Sequence, residues 1–215
     1  MSSQIQLKVE EINNLRPLQV VENPKVEQKF VQMYDKIWGK DLGEQIYNKE
    51  KFNFNKILTE TPALQECTPM SLYGCFLDIA VNGLSLDQTG RPQCYMMSRN
   101  AKVGDRWEKR ASIQVSAYGE IYMRQRAGQI KYCDNPVIVY EGDIFSIGLE
   151  NGVKKITYQA SIPRQSNTII AAFMRIVRID NSEDYQWMFE NDWKRLAGYS
   201  DKNNKGKGAN ALYTS

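Results

Sequence analysis

The residues of this 215-residue chain best placed to do chemistry are its cations. Between positions 91 and 131 stand nine Lys and Arg against three Asp and Glu, a local net charge of +6. The flanks are acidic. Residues 1–90 hold nine basic and twelve acidic side chains, and residues 132–190 hold five and eight. A concentrated basic block between acidic stretches points to a polyanion site. A solvated basic loop is the plain alternative. Arg99, Lys102, Arg106, Lys109 and Arg110 gather around Trp107. Arginine and lysine neutralise phosphates, and an exposed indole offers a flat face to a base. That pairing suits single-stranded nucleic acid, whose bases are free to stack. The alternative for Trp107 is a ring that covers its own loop.

A second basic group follows in "SAYGEIYMRQRAGQIKY". The spacing predicts a helix over Gly119–Ala127, stopped by Gly128 and followed by an extended run. Glu120 stands four residues before Arg124, the spacing of a helical ion pair. No acidic residue lies three or four positions from Arg126, which shares its helix face with Tyr122. This ranks Arg126 as the better phosphate contact. Lys131 opens the next strand. Tyr118 is expected at the strand-to-helix turn, where a base or sugar could approach the glycine backbone; ordinary core packing is its alternative. Arg175, with Arg178, lies in a later β-rich run and ranks below the hairpin. Three residues apart, the two are expected on opposite sheet faces.

Other chemistries lack their parts. The chain has no histidine, which removes Ser-His-Asp and Cys-His catalysis within it. No GxxxxGK[ST] loop is present to cradle a nucleotide phosphate. Cys67, Cys75, Cys94 and Cys133 form no CxxC pair, so the expectation is four reduced cysteines in apolar sites and no metal centre. A nuclease using Glu141, Asp143 and Glu183 or Asp184 around a metal is the enzymatic rival. Glu141-Gly142-Asp143 reads better as a turn before a strand. A structural protein that presents its basic loop to an acidic partner is a further alternative. No apolar run is long enough to span a bilayer, and the first residues lack the apolar stretch of a signal peptide. The expectations are therefore no enzyme, no cofactor, no membrane and a cytoplasmic location.

These residues need elements to hold them. Residues 1–22 read as a flexible arm with β-like pieces. "NPKVEQKFVQMYDKIWG" reads as a helix, with Asn23 as cap, Pro24 in the first turn and Gly39 at the end. Two more helices are expected near Phe54–Glu60 and from Pro69 to about Val81. From Gln93 the pattern turns extended: "QCYMMSRN" and "RASIQVSAY" predict a β-hairpin with a long charged tip. After the helix come "VIVYEGDIFSIGL", "KKITYQASI" and "TIIAAFMRIVRI", expected as an antiparallel meander. A short strand and a helix near Asn191–Leu196 close the domain. The predicted fold is α+β: N-terminal helices, then a β-hairpin, a helix, an antiparallel three- to four-stranded sheet and a closing helix, a ββαβββα core. One domain over 23–200 is expected, with a flexible segment over 201–215.

The ordered set "TPALQECTPMSLYGCFLDIAVNGLSLD", "CYMMSRN", "IQVSAYGEIYMRQRAGQI", "VIVYEGDIF" and "WKRLAGYS" resembles the RecT/Beta family of phage single-strand annealing proteins. The resemblance covers roughly residues 55–200 and rests on the order of the pieces. It implies ATP-independent binding of single-stranded DNA and annealing of complementary strands in recombination and repair. It further implies a homo-oligomer, ring or helical filament, that holds single strands and nascent duplex in a bacterial host cell. A partner exonuclease and the host single-strand binding protein are the implied partners. A non-annealing single-strand coating module is the alternative. Carried onto this chain, the DNA groove would use the hairpin cations and the Tyr118–Lys131 segment. Lys194, in "WKRLAGYS", completes the candidates. In the family a basic helical segment follows that region, so this chain is expected to be a shortened member.

Overall fold

The computed structural model describes residues 8–39, 41–203 and 206–208. The chain divides into two compact units, residues 1–123 and 124–215.

The first unit is a helical core carrying a β-ribbon. Its helices are α1 (Val9–Asn13), α2 (Pro24–Trp38), α3 (Gly43–Glu60), α4 (Pro62–Gln65) and α5 (Pro69–Asn82), with a 3-10 turn at Pro17–Gln19. The Asn23 side chain accepts from the Lys25 amide at 2.9 Å and starts α2. Thr68 caps α5 in the same way, ahead of Pro69 at the first helical position. Phe76 of α5 is the hub of the core. Its ring centroid lies 4.6 Å from Phe30, 5.8 Å from Tyr47 and 5.2 Å from Phe54. Residues 8–22, expected as an arm with β-like pieces, are instead helical where they take regular structure. They bury Ile12, Val20 and Val21. Residues 1–7 of that arm lie outside the described residues. The helix expected near Phe54–Glu60 begins at Gly43, and its buried face runs through Tyr47, Glu50, Phe54 and Leu58, with a carboxylate interrupting the apolar stripe.

Strands β1 (Cys94–Val103) and β2 (Arg106–Val115) form the hairpin. The expected long tip is absent. Val103 pairs with Arg106, leaving only Gly104-Asp105 as the turn. Gly104 has φ of 59°, the left-handed region that the first position of a type II′ turn demands of glycine. Cross-strand register puts Cys94, Met96, Ala111, Ile113 and Val115 on one face, against the helices. The opposite face carries Tyr95, Met97, Arg99, Val103, Arg106 and Arg110. The β2 edge is tied to the start of α5, where the Thr68 amide donates to the Lys109 carbonyl at 2.9 Å and the Ala111 amide to Ser71 Oγ at 2.9 Å.

Helix α6 (Ala117–Arg126) runs across the boundary between the units. The second unit is a small antiparallel sheet with an accompanying hairpin. Strands β3 (Tyr132–Cys133) and β4 (Val137–Tyr140) follow one another along one edge of β7 (Ile169–Val177), and β8 (Glu183–Phe189) runs along its other edge. Strands β5 (Ile144–Glu150) and β6 (Val153–Gln159) pair only with each other. The meander expected from sequence is therefore broken between β4 and β5. Asp143 explains the break. Its carboxylate accepts from the Tyr140 amide at 2.9 Å and the Ser161 amide at 2.8 Å, which closes a corner and sends β5–β6 out as a separate hairpin. That hairpin returns Phe145 and Tyr158 to Phe173 of β7, at ring distances of 5.6 and 5.5 Å. Helix α7 (Glu190–Asn203) closes the unit and runs well past the Asn191–Leu196 expected from the sequence. Of the segment expected to be flexible, Asp201–Asn203 end α7, while residues 204–205 and 209–215 lie outside the described residues. The α+β class and its helices–hairpin–helix–sheet–helix order are those read from the sequence. Among the described residues, no helix is long and apolar enough to cross a membrane.

Candidate nucleic-acid interface

The hairpin gathers the larger share of the basic candidates, on strands rather than on a loop. Arg99 and Arg110 stand directly opposite each other on its outer face. Like charges in directly opposed positions cost a sheet stability. Among the described residues neither forms an ion pair, and the same is true of Lys102 and Arg106. Glu108 shares this face, opposite Ala101, and makes no ion pair among the described residues. Toward the hairpin base, β1 adds Tyr95 and Met97 to this face, opposite Gln114 and Ser112 of β2. Tyr95 is 41% exposed and Met97 52% exposed, in spite of their size. Charge and flat apolar surface thus lie side by side on one ribbon face.

The tip extends the pattern to the other face. Trp107 sits opposite Lys102 and is 71% exposed, so it does not cover its own loop. Lys109 is differently placed. Its Nζ lies 2.6 Å from Glu66, and its strand is tied to α5.

Tyr118 is in the first turn of α6, not in the turn before it. Ser116 is the cap: its Oγ accepts from the Gly119 amide at 3.0 Å. The expectation that a ligand approaches the Gly119 backbone is corrected by packing. A Cβ on Gly119 would lie 2.0 Å from the Gln93 carbonyl oxygen, so the chain itself fills that space. Tyr118 is exposed on its own account, with the Arg91 guanidinium 5.3 Å from its ring. Arg91, Tyr95 and Met97 were missed in the sequence. Alternation is the signal that finds the last two, but "CYMM" is apolar at four successive positions and hides which side faces out.

In the second unit the cations are tied more closely to their surroundings. Arg124 and Arg126 occupy the last turn of α6, and Arg124 Nη1 donates to Gln129 at 3.4 Å. Lys131 Nζ donates to Asn181 at 3.0 Å. Arg175 is held between Asp134 at 2.7 Å and Glu183 at 2.8 Å. The hydrogen bond to Asp134, then the charge and hydrogen bond of its neighbours, raise its pKa above the ordinary guanidinium value. Arg178 lies past the end of β7 and pairs with Asp184 at 2.8 Å. Lys194 pairs with Glu190 at 2.6 Å across one turn of α7. These pairs link strands and helix turns of the unit itself.

The carboxylates of the rival nuclease reading have structural partners. Asp143 staples its corner, Glu183 holds Arg175 and the Tyr185 hydroxyl, and Asp184 holds Lys154 and Arg178. Cys67, Cys75 and Cys94 are buried and Cys133 is half-buried, all as free thiols. Desolvation pushes the Cys75 and Cys94 thiols up to about 12, so they remain protonated and unreactive at neutral pH.

Fold and site together define an α+β protein that presents a cationic, aromatic-bearing β-ribbon on a packed helical base. The chain belongs to the RecT family, whose family model matches residues 45–212. That membership makes it a protein of phage-type single-strand annealing in recombination. Comparison with curated protein sequences returned no match.

Proposed function

We propose that the outer face of the β1–β2 hairpin grips the backbone of single-stranded DNA, and that the protein anneals that strand to its complement without ATP. The observation that carries this reading is the directly opposed pair Arg99–Arg110, unpaired with any described carboxylate and adjoining exposed Tyr95 and Met97. An anion between the two guanidinium groups would relieve their repulsion, and a DNA phosphate supplies one. Phosphate contacts carry no sequence information, so binding is indifferent to sequence. Base edges must stay open for Watson–Crick pairing to test homology. Trp107 and Tyr118 offer ring faces, which leave those edges free. Once two strands pair, the same cations screen the phosphates of the nascent duplex. No covalent step is involved, in keeping with a sequence that contains no GxxxxGK[ST] loop. Arg124, Arg126 and Lys131, in the second unit, are separate candidate phosphate contacts. Homo-oligomers, as ring or filament, would line up successive grips along one strand, fed by a partner exonuclease and relieved of bound host single-strand binding protein.

The test is the salt dependence of single-strand binding. For every phosphate that a variant no longer neutralises, the log–log slope becomes shallower by about 0.7. Arg99→Ala with Arg110→Ala, which removes the one phosphate held between them, is expected to weaken binding and flatten the slope by about 0.7. Arg175→Ala, whose guanidinium is already held by two carboxylates, is expected to leave the slope as it is. Equal slopes for wild type and the double variant would remove the hairpin face from the site.

A further inference from the structure

Glu50 is buried to 1% exposure in α3, and no described cation pairs with it. A carboxylate placed there costs stability unless its oxygens are satisfied. They are satisfied by one loop. The Ser85 hydroxyl donates to Oε1 at 2.6 Å and the Leu86 amide to Oε2 at 2.8 Å. Asn53 adds a long contact at 3.5 Å. Ser85 and Leu86 lie just past the end of α5, in the stretch that leads into the hairpin.

The bonding continues from there. The Ser85 amide donates to the Gln93 side-chain oxygen at 2.9 Å. Gln88 Nε2 joins the Leu86 and Cys94 carbonyls at 2.9 and 3.0 Å. The Gln93 carbonyl accepts the Ser116 amide at 2.9 Å and is the atom pressed against Gly119. Ser116 Oγ then accepts the Gly119 amide at 3.0 Å and starts α6. A single buried carboxylate therefore stands at the head of a chain of hydrogen bonds. The chain passes through the root of the hairpin and ends at the first turn of α6, which carries Tyr118.

We infer that Glu50 is a positioning residue for DNA binding: it sets where the hairpin leaves the helical core and where α6 begins, and so fixes the hairpin cations relative to Tyr118. The functional half of this inference rests on the single-strand reading above. Glutamine is the conservative replacement. Its carbonyl can accept from Leu86, and its amide can donate to Ser85 once that hydroxyl turns. Leucine fills the space but leaves both donors unmet.

The experiment compares full-length Glu50→Leu, Glu50→Gln and Leu58→Ala, a core control in the same helix. Amide hydrogen exchange is measured first. In Glu50→Leu the Ser116 and Gly119 amides, remote from the substitution, are expected to lose protection about tenfold beyond the loss in Leu58→Ala. Single-strand affinity is expected to fall about tenfold with a shallower salt slope, and to stay within about twofold for Glu50→Gln. Equal behaviour of Glu50→Leu and Leu58→Ala in exchange and in slope would overturn the inference. Should Glu50→Leu not fold, Gln93→Leu cuts the chain one link later. It is then expected to loosen Ser116 and Gly119 while Leu86 stays protected, and wild-type protection at both would overturn the inference. If wild type itself binds no single strand, the DNA reading fails separately, and the exchange results alone decide whether Glu50 positions the hairpin root.

Discussion

The two units solve the same problem of holding cations in different ways. In residues 1–123 the ribbon lies on a core of 21 buried apolar residues, from Ile12 to Ala111. In residues 124–215 only Ile130, Val139, Ala171 and Val177 are buried apolar residues among those described. That unit is held instead by an aromatic trio around Phe173 and by charged ties such as Asp134–Arg175–Glu183. The first unit can therefore leave cations uncompensated on its ribbon, because packing on the opposite ribbon face supports them. The second uses its cations for its own cohesion. A free guanidinium is available to a phosphate only where something else holds the strand that bears it.

The largest expected effect lies in the first unit. Phe76→Ala removes the hub of four packed rings and is expected to cost about 3–5 kcal/mol, read from thermal or denaturant unfolding. Phe173→Ala in the half-exposed trio is expected to cost about 2 kcal/mol. Exchange should show the β4–β8 amides opening at lower free energy than those of α3 and α5. Equal costs for the two substitutions would erase the contrast between the units.

A smaller effect sharpens the same contrast through pH. Asp143 is held below its ordinary value, chiefly by the Ser161 amide and next by the Tyr140 amide. A carboxylate with a depressed folded-state pKa contributes stability above its unfolded value, about pH 4, and that contribution is lost as pH falls through the folded value. Exchange at the Tyr140 and Ser161 amides should therefore quicken below about pH 4 relative to neighbouring amides, after correction for intrinsic rates. Asp143→Asn should show no such acid transition. An unchanged transition in that variant would assign it to another group.

Much of this arrangement was legible in the sequence wherever local signals agreed. Asn23-Pro24 and Thr68-Pro69 marked helix starts because cap and first-turn preferences act over three residues. The helix–hairpin–helix order followed from period changes. What was hidden depended on distant partners. Glu50 interrupts the apolar stripe of α3, and only the loop at Ser85 and Leu86 explains why a carboxylate belongs there. The broken meander depends on Asp143 reaching Ser161, eighteen positions away. Residues 8–22 read as part of a flexible arm with β-like pieces, yet Ile12, Val20 and Val21 find burial against helices whose positions that stretch does not announce. For the site, residue types disclosed the hairpin cations, but only cross-strand register opposes Arg99 to Arg110 and turns Lys109 toward Glu66.

Annealing is the central claim, and one measurement addresses it most directly. A labelled single strand is bound by the protein without ATP or metal, then mixed with its complement or with an unrelated strand of equal length. The expected result is rapid formation of a stable duplex with the complement alone, faster than the same strands pair without protein. Pairing no faster than in protein-free solution, with both strands held equally, would contradict the claim and leave a protein that coats single strands without joining them.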